Sequence, residues 1–175
     1  MSDDELIDSP DRFYLGGVID PVHGERTGEI VHLESHHLTT HGVIVGMTGS
    51  GKTGLGIGLL EEALIDGVPC LVIDPKGDMG NLALVFPDFA PSDFRPWIDE
   101  GEAVRNGENP DDVAAQTATT WNSGLKSWHI EPDRLRNMRD ASTVTIYTPG
   151  SSAGVPLNII GSLEHPGIDF QENAE

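Results

Sequence analysis

The clearest chemistry in the chain sits in one run: Gly46, Met47, Thr48, Gly49, Ser50, Gly51, Lys52 and Thr53. It spells G-x-x-x-x-G-K-[ST], a phosphate-binding loop. Each residue type has a physical reason to be there. Glycines let backbone N–H groups turn inward around phosphate oxygens with no Cβ in the way. A helix opening near Gly51 aims its positive end at the same anion. Lys52 is expected to reach the β- and γ-phosphates, and the Thr53 hydroxyl to ligate Mg²⁺. The expected ligand is a nucleoside triphosphate, ATP with Mg²⁺.

The flanking residues supply the elements such a loop needs. Gly42-Val-Ile-Val45 is short, apolar and β-branched, as a buried parallel strand requires. From Lys52 to Asp66, Leu55, Leu59, Leu60, Ala63 and Leu64 recur at helical spacing. Gly54, Gly56 and Gly58 interrupt that helix and point to close packing against the sheet. Gly67 marks its end, with Pro69 just beyond. Cys70-Leu-Val-Ile-Asp74 reads as the next buried strand, which makes Cys70 a core thiol and the whole a strand–helix–strand unit. Asp78 to Glu108 is loop-rich. Asn109-Pro-Asp-Asp112 has the cap, proline and acids of a helix start, and the helix should run to about Trp128. Pro132 to Arg139 is a further short helix, and Thr143–Thr148 a third core strand. Upstream, Phe13–Ile19 and Glu29–Leu33 are short strand candidates, the first bent by Gly16-Gly17.

Asp74 closes the second strand, and its role stays open on spelling alone. It suits a Walker B aspartate holding Mg²⁺ through water. Asp74-Pro-Lys-Gly77 also spells the D-x-x-G switch of a GTPase. No [NT]-K-x-D guanine-reading motif follows, and no Glu follows Asp74. Asp99-Glu100 resembles a Walker B ending, but Arg95 and Pro96 break the run before it. His36, His37 and His41 cluster without a Cys or carboxylate frame at ligand spacing, so ordinary polar roles are expected. Arg134, Arg136 and Arg139 form either a solvated helix face or the hiding place of an arginine finger.

The charge is −19, from 10 basic and 29 acidic residues, with lysine only at 52, 76 and 126. Such a surface does not grip nucleic acid through backbone neutralisation. The acid excess reads either as solubility or as adaptation to a salt-rich cytoplasm. One cysteine excludes an internal disulfide. No run of about 18 apolar residues spans a membrane, and the acidic start lacks the pattern of a signal peptide. A cytoplasmic location is expected.

The runs His41–Thr53 and Pro69-Cys-Leu-Val-Ile-Asp-Pro-Lys-Gly-Asp78 resemble the FtsK–HerA superfamily of P-loop ATPases, nearest to HerA-type helicase and translocase domains. Thr145–Ser151 and Gly154–Asn158 are similar to further segments of that family. The resemblance covers roughly residues 30–160. It implies an α/β P-loop NTPase fold with a mainly parallel sheet flanked by helices, incomplete in this chain. It implies a hexameric ring that binds ATP and pulls on DNA, with a nuclease as a possible partner. It also implies that Asp74 lies near the nucleotide without being the Walker B aspartate, whose Asp-Glu falls much later in the family. The expected layout is an acidic flexible tail over 1–11, a small β appendage over 12–35, a partial ATPase domain over 36–163 and a loose tail over 164–175. A nucleotide-binding or assembly module without turnover is the alternative. A P-loop GTPase or kinase fits less well, for want of a guanine motif or an acceptor site.

Overall fold

The computed structural model describes Ile7 and residues 11–158. The chain divides into two compact units, one through Thr143 and one from Val144. In the first, β1 (Arg12–Ile19) and β2 (Arg26–Glu34) pair antiparallel. The register slips between Tyr14 and Gly16 and again between Gly17 and Ile19. Gly16 meets a backbone need at that irregular stretch, with φ +132°, which L side chains seldom adopt. Trp128 packs beside it, where a Cβ on Gly17 would meet Cζ3 at an ordinary 3.5 Å. Arg26 completes the contact. Its guanidinium lies 4.1 Å from the Trp128 ring centroid, and its Nη1 donates to Ser127 O at 2.6 Å.

Helix α1 (Lys52–Ile65) follows the phosphate-loop residues. Gly67, at φ +72°, closes it. Its N–H donates to Leu64 O at 3.0 Å, and the Val68 N–H to Ala63 O at 2.8 Å, which satisfies carbonyls the helix end would leave open. The loop-rich stretch holds two short helices, α2 (Pro91–Phe94) and α3 (Glu100–Arg105). Asp99 caps α3 by accepting the Glu102 N–H at 3.0 Å, and Glu100 pairs with Arg95 at 2.8 Å. These acids start a helix; they do not end a strand. Helix α4 (Pro110–Lys126) is capped by Asn109, whose Oδ1 accepts the Asp111 N–H at 2.9 Å. Helix α5 spans Pro132–Ala141. A core gathers where Ala114 and Ala118 of α4 leave room for Phe94, with Phe86, Phe89 and Ile98 around them. The Phe86 and Phe94 rings meet edge to face at 5.1 Å.

Helix α4 ends two residues before the expected Trp128. His129 turns the chain at φ +60°, and the Ile130 N–H returns to Leu125 O at 3.1 Å. Trp121 and Trp128 therefore do not share a helical face: Trp121 borders a cavity, and Trp128 packs on the hairpin.

The largest departure concerns the sheet. Gly42–Val45 and Cys70–Asp74 join no ladder among the described residues. The second unit holds a short parallel pair, β3 (Tyr147–Pro149) with β4 (Val155–Leu157), and β3 starts later than the strand expected from Thr143. The described architecture is mixed α/β with two separate two-stranded sheets, not a mainly parallel sheet flanked by helices. The physical reason is partnership: a buried parallel strand needs neighbours on both edges and cover on both faces. Val43 and Leu71 are 83% and 93% exposed, while their neighbours Ile44 and Val72 are 38% and 40% exposed. All four are exposed, with alternate side chains only partly shielded. Cys70 is exposed with them and is not a core thiol.

Most of the expected acidic tail and all of 164–175 lie outside the described residues; Ile7, which is described, is buried. Among the described residues no helix is long and apolar enough to cross a membrane.

Candidate functional site

The loop over 46–51 is shaped by its glycines. Gly49 and Gly51 take φ +80° and +89°, and a Cβ on Gly46 would run into Ser50 Oγ. The Ser50 N–H donates to Met47 O at 3.2 Å. Lys52 Nζ donates to the same carbonyl at 2.6 Å, so the ammonium folds back over the loop. Nothing lies within 4 Å of a Cβ position on Gly49 or Gly51; these positions are open.

Helix α1 begins differently from α3 and α4. Its N-cap is Gly51, with no side-chain cap and no acid in the first turn. Its first recorded turn bond is Leu55 N–H to Gly51 O at 2.9 Å. The amides of Gly51 to Gly54 thus have no carbonyl four residues back inside the helix. Free N–H groups at the positive helix end and the Lys52 ammonium thus belong to one short loop with open glycine positions. The donor set fits an anion carrying several oxygens, as a polyphosphate does.

The second motif packs beside the first, with its two aspartates in different roles. Asp74 Oδ1 accepts the N–H groups of Gly77 at 2.9 Å and Lys76 at 3.2 Å, and its Oδ2 accepts that of Met79 at 2.9 Å. The Met79 bond first, then those of Gly77 and Lys76, hold its carboxyl below the usual range. Asp74 is spent on shaping a turn, which Gly77 completes at φ +79°. The turn carries Asp78 to the start of α1, where Thr53 Oγ1 donates to Asp78 Oδ2 at 3.4 Å. A Cβ on Gly56 would meet Met79 Cε at an ordinary contact distance of 3.5 Å, and Gly54 and Gly58 face open space, so no close approach requires a glycine in this helix. Sequence reasoning passed over Asp78; its only signal was the second Asp of Asp-Pro-Lys-Gly-Asp.

A buried ion pair backs the helix. Glu62 of α1 contacts Arg134 of α5, with side chains 11% and 10% exposed, and accepts the Tyr14 N–H at 2.8 Å. Burial pushes the Glu62 carboxyl up to about 7, against the pull of the Tyr14 amide and with a further rise from Asp66 and Glu61. Arg136 is held by Asp133 at 2.6 Å and Asp88 at 2.7 Å. His36 pairs with Glu34 at 3.4 Å and packs on His37. Among the described residues no group of three His, Cys, Asp or Glu is placed to hold a metal. A cavity of about 610 Å³ opens elsewhere, lined by Ile57, Glu61 and Ile65 of α1 with Phe86, Trp97 and Trp121, and by no residue of the 46–53 loop. Burial raises the Glu61 carboxyl on its wall.

A family model described as the central domain of helicase HerA matches residues 23–149. The type 4 coupling protein DotL of Legionella pneumophila is 39% identical over 61 residues, which is 35% of this chain and 8% of that protein. The chain therefore spans only a small part of that relative's length. No solved structure matches it. The family match takes in the glycine loop, α1, the Asp74 turn and the helices through α5, and on that extent the chain belongs to the HerA helicase central-domain family.

Proposed function

We propose that the chain is the ATP-binding portion of a HerA-like motor, which couples hydrolysis to DNA translocation or unwinding in the complete protein. The observation that carries the reading is the uncapped start of α1, set behind an open glycine turn and beside a folded-back lysine. In this reading the backbone from Gly46 through Gly51 wraps the phosphates, with Met47, Thr48 and Ser50 contributing main chain. Lys52 exchanges the Met47 carbonyl for phosphate oxygens. Thr53 serves Mg²⁺, which when bound neutralises charge on the β- and γ-phosphates. The formal charge of −19 leaves DNA contact to a local feature or to the rest of a ring-shaped homo-oligomer, since the overall field repels the duplex.

A module that binds nucleotide without turnover is the second reading. It is favoured because both acids that resemble a Walker B ending are engaged elsewhere, Asp74 with backbone amides and Glu100 with Arg95.

Titration with a fluorescent ATP analogue and Mg²⁺, followed by displacement with ATP or GTP, tests the proposal. ATP is expected to displace the probe at least as well as GTP. A strong guanine preference contradicts the motor reading. Phosphate release in the same samples separates the two readings: binding with no release supports the module, and release that depends on Lys52 supports the motor.

A further inference from the structure

Resting on the nucleotide reading above, we propose that Asp78 is a metal-positioning carboxylate of this site, acting through Thr53. A threonine that gives an oxygen lone pair to Mg²⁺ must send its proton to an acceptor facing away from the metal. The acceptor present is Asp78 Oδ2, 3.4 Å from Thr53 Oγ1. Metal-ligating groups are commonly aligned by such outer partners, which also raise their basicity.

Asp74 cannot take this role. Its two oxygens already accept three backbone N–H groups at 2.9–3.2 Å, and releasing them would undo the turn. Asp78 is half-buried at the open end of α1, and Thr53 is the one partner recorded for its carboxylate among the described residues. The two residues are 25 apart in sequence. The Asp74 turn, with Gly77 at φ +79°, is what brings them together.

The experiment measures binding of a fluorescent, non-hydrolysable ATP analogue to the full chain, in EDTA and across a Mg²⁺ titration. Asp78→Asn is expected to bind in EDTA within about twofold of the parent and to lose roughly tenfold of apparent Mg²⁺ affinity. Thr53→Ala should lose a similar amount, and the double variant little more, because the two residues act as one unit. Lys52→Ala weakens binding under both conditions and so reports on the phosphate grip alone. Unaltered Mg²⁺ dependence in Asp78→Asn overturns the proposal. So does equal weakening with and without the metal, or additive loss in the double variant. If the parent chain binds the probe but Mg²⁺ adds nothing, the metal assignment fails and the nucleotide reading survives. If the folded parent binds no probe at all, both fail.

Discussion

Glu62→Ala is expected to remove about 3–5 kcal/mol of folding stability, because it breaks a buried ion pair. Glu62 joins three elements. It lies on α1, meets Arg134 of α5 and accepts the Tyr14 amide of β1 at 2.8 Å. With alanine there, the Arg134 side chain, 10% exposed, keeps its burial and loses the Glu62 carboxylate. The Tyr14 N–H loses an acceptor as well. A domain of this kind has about 5–15 kcal/mol in total, so the variant should unfold at markedly lower urea. The same carboxyl gives the parent a pH signature. Burial pushes Glu62 up to about 7 from an ordinary 4.5, so between those values the folded state holds a proton that the unfolded state has given up. The stability this contributes should be full below about 4.5 and be lost as pH rises through about 7. Urea melts of the parent and of Glu62→Gln at several pH values check this; equal pH slopes in the two proteins contradict it.

Lys52→Ala should weaken Mg²⁺-nucleotide binding on the order of 100-fold, the size expected for a charge-assisted bond of about 2–3 kcal/mol. In the free protein Lys52 Nζ rests on Met47 O at 2.6 Å in an exposed contact. Removing that contact costs little stability, since an exposed bond exchanges readily with water. The variant is therefore expected to melt like the parent while losing ligand. Equal binding by both proteins, measured by calorimetry, would place the phosphate grip outside this lysine.

What was legible in the sequence was local. The glycine loop, the span of α1, the Gly67 stop and the Asn109 cap depend on residues within a few positions of one another, and the structure describes each in its expected place. The buried strands were not local. Val43 and Leu71 have the composition of a parallel core, but a strand exists only with partners, and none lies beside them among the described residues. The same gap left Cys70 exposed. Glu62 was hidden among leucines on an apparently ordinary helix, and its partner lies 72 residues away. Asp78 was hidden in a different way. Spelling drew attention to Asp74, and only the turn's hydrogen bonds show that it is consumed by backbone amides while Asp78 faces Thr53.

The most direct test of a phosphate-gripping loop is amide hydrogen exchange, followed by mass spectrometry with and without Mg²⁺ and ATP. Slowed exchange is expected at the amides from 46 to 54, where α1 starts without a cap, with loss of that protection in Lys52→Ala. Protection confined to the cavity walled by Phe86, Trp97 and Trp121, with the 46–54 amides unchanged, would contradict it.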